Sequence, residues 1–344
     1  EEKSDSLSFP GLTVSLSRYE VFYEGEKVAD KGKLEYRGFD MAQLVEGYNA
    51  ENRYGFEEVV YLLLFGKLPS KTELDDFNAL LAHYRKLPPR FSEDILMKAP
   101  SRSIMNKMAT GVLALYSYDE NPDDTSLENM LRQSIEIIAK LPVIAAHSYA
   151  YYRAHFHGKS LNFHRPHDDL SSSQNFLRLL RSSKQYTEEE ARLLDLCMII
   201  QAEHGGGNNS SFTCRVLSSS GTDTYSAISG AIGSLKGPLH GGANIKVVQM
   251  FDDMKASINT RDDGAIRDYL VKLLNKEAYD KAGLIYGMGH AVYSLSDPRA
   301  DILRYYAEQL SVEKGLHDEF ELYQTVEKMA PEIIAEKRKM YKGV

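Results

Sequence analysis

The sequence predicts a mainly α-helical protein with a small β region near its N-terminus. Apolar residues recur at three- and four-residue spacing through much of the chain, and Ser/Thr-x-x-Glu capping signals precede two of the helical stretches. Alternation of apolar and polar residues is confined to 12–17 and 19–23, where it predicts two strands. The 344 residues are enough for about two domains.

Along the chain, the two strands are followed by a turn at 24–26. Residues 56–65 have the apolar spacing of a helix that stops at Gly66, because glycine accepts the left-handed conformation at a helix C-terminus. Ser70 and Glu73 then predict a capping box, in which each side chain satisfies an otherwise unpaired amide of the next helix.

A second capping box, Thr187 with Glu190, precedes residues 193–200. This stretch is apolar nearly all round, which predicts a buried central helix. Turn-forming residues predict loops between helices at 88–89, 121–124 and 171–173.

Residues 222–235 predict a helix of a different kind. Small side chains recur on one face of it, at Ala227, Gly230, Ala231 and Ser234. Such a smooth face suits a close helix pair, either within one subunit or across the two-fold axis of a dimer. Gly237-Pro238 ends the helix and is a candidate domain hinge.

The composition excludes several classes of protein. With 41 Lys+Arg against 49 Asp+Glu the net charge is −8, and no dense basic block occurs, so we expect no nucleic-acid partner. The two cysteines, Cys197 and Cys214, favour neither a disulfide scaffold nor a thiolate zinc site, and they indicate a reducing, cytoplasmic compartment. No apolar run approaches the roughly 18 to 20 residues of a membrane span, so no membrane partner is expected.

Three of the ten histidines lie in glycine-rich or polar surroundings: His204, His240 and His290. Glycines beside a histidine let backbone approach a ligand closely and leave the ring accessible. A hydrogen-bonded loop histidine is the alternative for each one alone. Arg299 follows Asp297-Pro298, where proline fixes the local backbone direction, so the guanidinium offers an oriented fork for a carboxylate or phosphate.

A second cluster of histidines and carboxylates predicts the chief rival chemistry, a zinc site: His155, His157, His164, His167, Asp168 and Asp169. Neighbouring cations, Arg153, Lys159 and Arg165, oppose it, and a solvated polar loop is the alternative. Neither a P-loop nor the Gly-x-Ser-x-Gly elbow of a serine hydrolase occurs.

Blocks 237–244 (Gly-Pro-Leu-His-Gly-Gly-Ala-Asn), 287–293 (Gly-Met-Gly-His-Ala-Val-Tyr) and 297–299 (Asp-Pro-Arg) together resemble the signature set of the citrate synthase family. Glu203-His204 and residues 32–40 fit the same family in the same order. Each block alone is a weak signal, whereas the set is highly specific.

The resemblance extends from about Gly11 to the end of the chain and implies a two-domain, all-helical homodimer. It implies a large dimerisation domain, 1–238, and a small domain, 239–344, that is incomplete at its C-terminus. The implied reaction is a Claisen-type condensation of acetyl-CoA with oxaloacetate, followed by hydrolysis of citryl-CoA to citrate and CoA. The implied enzyme needs no permanently bound cofactor and no metal, and the CoA thioester is a co-substrate.

The resemblance also implies roles for individual residues. His240 would stabilise the enolate oxygen of the thioester, and His290 would donate a hydrogen bond to the keto oxygen of oxaloacetate. His204 and Arg299 would hold the oxaloacetate carboxylates, with Asn208 as a weaker candidate in the same loop. Gly287 and Gly289 would let backbone approach the adenine of CoA.

The sequence departs from the family in three respects. We find no counterpart before Val344 of the family's catalytic aspartate or of two later substrate arginines, so a polypeptide ending at Val344 is expected to form no citrate. Ile245 replaces a glutamate that is common after the His-Gly-Gly-Ala-Asn run. Ala291 and Ser294 occupy positions where a CoA-binding basic residue is often found.

Three alternatives remain open from the sequence. The nearest is a 2-methylcitrate synthase that uses propionyl-CoA, because one methylene changes binding by only about 1 to 3 kcal/mol. The others are a zinc-dependent hydrolase built on 155–169 and an inactive helical binding protein.

Overall fold

The computed structural model describes residues 15–23, 26–258, 262–288 and 297–341. The chain divides into two compact units, Glu1–Lys236 with Leu295–Leu303, and Gly237–Ser294 with Arg304–Val344. Residues 295–303, which the sequence assigns to the small domain, thus belong to the first unit. The expected domains, 1–238 and 239–344, stay a prediction.

The β region is a three-stranded antiparallel sheet in the order β1 (Ser15–Tyr23), β2 (Glu26–Tyr36) and β3 (Phe39–Asp40). Strands were predicted at 12–17 and 19–23, and the described residues of both segments are extended, but they form one strand that continues through Arg18. Residues 12–14 lie outside the described part of the chain. The pairing register shifts between Arg18 and Glu20, where the alternation in the sequence is interrupted. The sequence missed β2, whose many charged residues obscure its alternation.

The described part of the first unit is helical after the sheet, and a further helix begins at its returning segment. Two short helices, π-helical Ser92–Leu96 and 3₁₀ Tyr116–Tyr118, flank the fourth α-helix. The α-helices are α1 (Met41–Ala50), α2 (Phe56–Phe65), α3 (Lys71–Tyr84), α4 (Ile104–Leu115), α5 (Leu127–His157), α6 (Ser172–Leu180), α7 (Glu188–Ile200), α8 (Asn209–Ser218) and α9 (Thr224–Leu235).

Local signals in the sequence placed several of these helices correctly. Helix α2 ends at Gly66, whose φ of 78° is left-handed, as predicted. Both capping boxes are present, Ser70 with Glu73 before α3 and Thr187 with Glu190 before α7. Within α7, every residue from 191 to 200 is buried or half-buried, which confirms the predicted central helix.

The predicted loops at 88–89 and 121–124 are confirmed, whereas the loop at 171–173 is wrong. Ser171 is the N-cap of α6 and forms a capping box with Gln174, so Ser172 and Ser173 are already helical. Serine favours both turns and N-caps, and the glutamine three residues later decides between them.

The small-residue face of α9 packs against a helix of the same unit. A Cβ on Gly230 would lie 2.3 Å from Cδ1 of Leu217 on α8, so the two helices approach too closely for a larger residue. Ser229 of α9 donates a hydrogen bond to the carbonyl oxygen of Ala109 on α4, at 2.9 Å. Helices α4 and α8 thus bracket α9 within one subunit.

The second unit has its own apolar core. Helices α10 (Ala243–Ser257), α11 (Asp263–Leu274) and α13 (His317–Tyr341) contribute it, and α12 (Pro298–Glu313) begins in the returning segment of the first unit. The buried residues of this core are Met250, Phe251, Met254, Ile266, Tyr269, Leu270, Leu273, Ile285, Leu322, Val326, Ala330 and Ile333. Within the described residues, no helix is long and apolar enough to cross a membrane.

Candidate active site

Helix α7 leads to the first group of predicted site residues, and contacts along its length fix it. The fully buried Tyr36 of β2 donates its hydroxyl proton to the carbonyl oxygen of Ile199, at 3.0 Å. The Oδ2 atom of Asp195 accepts a hydrogen bond from the backbone N–H of Gly55, at 2.8 Å. Since Gly55 is the N-cap of α2 and has no side chain, Asp195 caps that helix from α7.

Asp195 is buried next to a second carboxylate, that of Glu57 on α2. Burial, reinforced by the charge of Glu57, raises the pKa of Asp195 to about 7, although hydrogen bonds from the N–H groups of Gly55 and Phe56 oppose the shift. Glu57 itself accepts a hydrogen bond from the backbone N–H of Ser172, at 2.6 Å. The N-terminus of α2 therefore has two buried carboxylates with separate hydrogen-bond partners.

The loop that follows α7 carries His204. Just before the loop, the backbone N–H of Gln201 bonds to the carbonyl oxygen of Cys197 and ends the helix. The carboxylate of Glu203 accepts hydrogen bonds from the backbone N–H groups of His204, at 2.9 Å, and of Gly205. Gly205 has a φ of 85°, which favours glycine, and the His204 side chain is half-buried.

Asn208 has a clear structural role at the end of this loop. Its Oδ1 atom accepts from the N–H of Ser211, which makes it the N-cap of α8. Its Nδ2 group donates to the carbonyl oxygen of Gly205 and to Oγ of Ser211, both at 2.9 Å. Because both N–H donors are used inside the loop, substrate contact by Asn208 stays a prediction that requires one of these bonds to open.

Arg299 lies at the start of α12 and is held by Asp297. The Nε atom of Arg299 is 3.0 Å from Oδ1 of Asp297, and Nη2 is 2.6 Å from Oδ2. The same Oδ1 accepts the backbone N–H of Arg299, at 2.9 Å, so one carboxylate fixes both backbone and guanidinium. The Nη1 atom is 3.4 Å from Oε1 of Gln201, which places Arg299 at the end of α7.

His240 belongs to the second unit and lies in a tight turn before α10. Its N–H bonds to the carbonyl oxygen of Gly237, and its carbonyl oxygen accepts from the N–H of Ala243, both at 3.0 Å. The ring is half-buried. Helix α10 begins at Ala243 without a side-chain cap, so the positive end of its dipole lies close to His240 in sequence.

Gly287 also belongs to the second unit and has a φ of 89°. A Cβ there would lie 3.3 Å from Cγ2 of Val247, so the loop passes close to α10. Lys246 precedes Val247 and forms an ion pair with Asp280 at 3.2 Å, and Tyr286 donates to the same carboxylate oxygen at 2.7 Å.

Two site residues predicted from the sequence, Gly289 and His290, lie outside the described residues, as do Ala291 and Ser294. Their roles remain predictions from the sequence.

The histidines of the rival zinc cluster have other partners. Nε2 of His164 lies 3.1 Å from the carbonyl oxygen of Arg181, and Nδ1 of His167 accepts from the N–H of Asp169 at 3.3 Å. His155 and His157 are exposed on the last turn of α5. In the described part of the chain, no group of three or more His, Cys, Asp or Glu side chains is arranged to hold a metal ion.

A model of the C-terminal domain of citrate synthase matches residues 16–344. The chain belongs to the citrate synthase family. Members of this family are transferase-type condensing enzymes, and their all-α fold agrees with the mainly helical class predicted from the sequence.

The curated relatives include citrate synthases and a 2-methylcitrate synthase. The citrate synthase of Synechocystis sp. is 31% identical over 307 residues, which cover 89% of this chain and 71% of that protein. That of Deinococcus radiodurans is 36% identical over 275 residues, 80% of this chain and 68% of that protein. The 2-methylcitrate synthase of Shewanella oneidensis is 34% identical over 284 residues, 82% of this chain and 68% of that protein.

Solved structures of the family have the same fold. The citrate synthase of Pyrobaculum aerophilum superposes with a TM-score of 0.72 at 26% identity, over 90% of this chain and 77% of that chain. The ternary complex of carboxymethyl coenzyme A and oxaloacetate with citrate synthase from Thermoplasma acidophilum superposes with a TM-score of 0.74 at 24% identity, over 89% of this chain and 74% of that chain.

Sequence reasoning missed two residues that the structure places beside Arg299. Asp297 was noted only as part of the Asp-Pro-Arg motif, although a carboxylate two residues before an arginine is a local signal for an ion pair. Gln201 is separated from Arg299 by almost one hundred residues, and no local pattern connects them.

Proposed function

We propose that this protein condenses acetyl-CoA with oxaloacetate and hydrolyses the resulting citryl-CoA to citrate and CoA. One observation carries the proposal for the substrate side. Asp297 fixes Arg299 against Gln201 at the end of α7, and Gln201 lies three residues before His204. The first unit thus has an oriented cation for a carboxylate. The net charge of −8 is compatible with anionic substrates, because a local cation outweighs the total.

His240 acts on the thioester. Removal of a methyl proton from acetyl-CoA moves charge to the thioester oxygen, and an imidazole N–H donates a hydrogen bond to this developing enolate. The N-terminus of α10, which begins three residues after His240, favours the same negative charge. The proton-abstracting aspartate that the family resemblance implies is not assigned to any residue of 1–344.

The enolate carbon then attacks the keto carbon of oxaloacetate, and negative charge moves to the keto oxygen. In this proposal His290 donates the hydrogen bond and proton that convert this oxygen to the hydroxyl of citryl-CoA. Water cleaves the thioester to give citrate and free CoA. His204 and Arg299 hold the carboxylates throughout, and such alignment of two substrates replaces about 7 to 11 kcal/mol of the barrier in favourable cases.

The CoA thioester is a co-substrate in this scheme, and Gly287 and Gly289 are the expected points of backbone approach to its adenine. We infer that acetyl-CoA rather than propionyl-CoA is the favoured thioester, since two of the three curated relatives described above are citrate synthases. A 2-methylcitrate synthase is the second candidate, favoured by the Shewanella oneidensis relative.

The experiment uses the full-length protein as encoded. Oxaloacetate is mixed with acetyl-CoA or propionyl-CoA, release of the CoA thiol is followed over time, and the product is identified by mass. A higher kcat/KM with acetyl-CoA supports citrate synthesis. Absence of thiol release with both thioesters contradicts the proposed function, and a preference for propionyl-CoA selects the second candidate.

The homodimer is part of the same proposal. Phe212 and Val216 lie one turn apart on α8, and both are more than half exposed. Helix α8 packs against α9. Such an apolar face is suited to a subunit interface. A sedimentation mass of one chain at micromolar concentration would contradict the dimer. A cytoplasmic location is proposed from the free thiols of Cys197 and Cys214.

A further inference from the structure

Gln201 occupies an unusual place at the end of α7. Its backbone N–H is bonded to the carbonyl oxygen of Cys197, so the helix fixes the Cα position. Its side chain is exposed, and its Oε1 atom lies 3.4 Å from Nη1 of Arg299. Because the Gln201 amide is exposed and lies beside the guanidinium, it is positioned to contact a carboxylate bound by Arg299.

The electrostatics of Arg299 explain why a further donor is useful there. The carboxylate of Asp297 occupies the Nε and Nη2 side of the guanidinium, at 3.0 and 2.6 Å. This close ion pair offsets the positive charge that an anionic ligand would encounter. A carboxylate ligand has about four lone-pair sites, which is more than a single guanidinium edge satisfies.

The amide of Gln201 supplies neutral donors at this point. Its Oε1 atom faces Arg299, which leaves the two N–H groups of Nε2 for another acceptor. Over the residues that the structure describes, no acceptor is paired with Nε2. We propose that Gln201 is a substrate-binding residue that donates an Nε2 hydrogen bond to the oxaloacetate carboxylate on Arg299. This inference rests on the proposed function and adds to it a residue that determines dicarboxylate affinity.

The test compares two substitutions with matched controls in the full-length protein. Gln201→Met has a similar length and no donor, and Gln201→Glu introduces a charge that repels the substrate and competes for Arg299. Gln43 is exposed on α1, so Gln43→Met and Gln43→Glu make the same chemical changes elsewhere on the surface. The measurements are KM for each substrate, kcat, melting temperature, and oxaloacetate affinity by calorimetry without the thioester.

We expect KM and Kd for oxaloacetate to increase about tenfold in Gln201→Met and about a hundredfold in Gln201→Glu. The KM for acetyl-CoA and the melting temperature should remain those of the Gln43 controls. Equal effects on both substrates, or an unchanged oxaloacetate Kd, would overturn the inference. Failure of the wild-type protein to release CoA from either thioester would instead contradict the proposed function, and the calorimetric comparison would still decide whether Gln201 binds the dicarboxylate.

Discussion

The carboxylate of Asp195 lies 2.8 Å from the backbone nitrogen of Gly55 and thereby caps a helix whose N-cap residue is 140 residues earlier in the chain. The contact joins α7 to α2 at a point where both are buried. The pKa of the Asp195 carboxyl is raised because the group is buried and lies near the charge of Glu57.

Asp195→Asn should change how stability depends on pH. The pKa of Asp195 in the folded protein is about 7, above an unfolded value of about 4. Its titration therefore contributes most to the free energy of unfolding below about pH 4, and this contribution is lost as the pH rises through about 7. Asparagine removes the titration and keeps an oxygen for Gly55. From about pH 4 to 8, wild type should lose up to about 4 kcal/mol relative to the variant.

Urea unfolding at several pH values measures this difference. Asp76→Asn, at an exposed position of α3, is the matched control and should leave the pH profile parallel to wild type. A constant difference between wild type and Asp195→Asn over the whole range would contradict the prediction.

Gly55→Ala should destabilise the protein, whereas Gly47→Ala should stabilise it. A Cβ on Gly55 would lie 2.2 Å from a ring carbon of the buried Tyr48, so the Gly55 backbone or the Tyr48 ring must shift. We expect a loss of about 2 to 3 kcal/mol in the free energy of unfolding. Gly47 is exposed within α1 with open space around it, and alanine there should add about 0.5 to 1 kcal/mol. Thermal or urea unfolding measures both, and effects of the same sign would refute the account of Gly55.

Asp119→Asn tests the contact between α5 and α9. Oδ2 of Asp119 accepts from Tyr225 at 2.7 Å, Arg132 at 2.6 Å and Gln133 at 3.0 Å, and Oδ1 accepts from the N–H of Asn121 at 2.9 Å. An asparagine amide must place an N–H group among donors or give up its bond to one of them. We expect a loss of about 2 to 4 kcal/mol at neutral pH.

The same substitution should flatten the acid limb of the stability profile. Burial alone would raise the pKa of Asp119, but the hydrogen bonds, led by that from Tyr225, hold the pKa well below its usual range. This stabilisation is present above an unfolded pKa of about 4 and is lost as the pH falls below it. Glu120→Gln, at the exposed position next to Asp119, is the control. An equally steep acid limb in Asp119→Asn would contradict this assignment.

In the full-length protein as encoded, His240→Ala should reduce kcat about a hundredfold to a thousandfold, because it removes one donor to the developing enolate. Circular dichroism should be unchanged, since the turn is held by backbone hydrogen bonds of Gly237 and Ala243. His83→Ala, exposed on α3, is the matched control and should retain wild-type turnover. Retained turnover in His240→Ala would show that another group stabilises the enolate.

Local signals made much of this fold predictable. The end of α2 at Gly66 and the capping boxes of Ser70 and Thr187 depend on residues within four positions of one another, and all three are confirmed. Strand β2 was missed because cross-strand pairing, rather than its own charged sequence, determines its conformation.

The residues of the candidate site likewise fall into those that local sequence signals predict and those that only tertiary packing brings together. Histidine blocks and the Asp-Pro-Arg motif are visible in the sequence because their residues are contiguous. The approach of Gln201 to Arg299, and of Asp195 to Gly55, depends on tertiary packing between segments far apart in the chain. No periodicity or spacing rule predicts such contacts.

The anchoring of α7 by Tyr36 and Asp195 has a consequence for hydrogen exchange. Amides at 196–200 lie inside a helix with buried neighbours on both sides, so they should exchange with deuterium only when the whole first unit unfolds. Amides at 206–207 are exposed in the His204 loop, so they should exchange through local openings, much faster than the amides at 196–200. The boundary between the slowest and the fastest amides would then fall within a few residues of Gln201, where a rigid helix meets a segment free to adjust to a ligand.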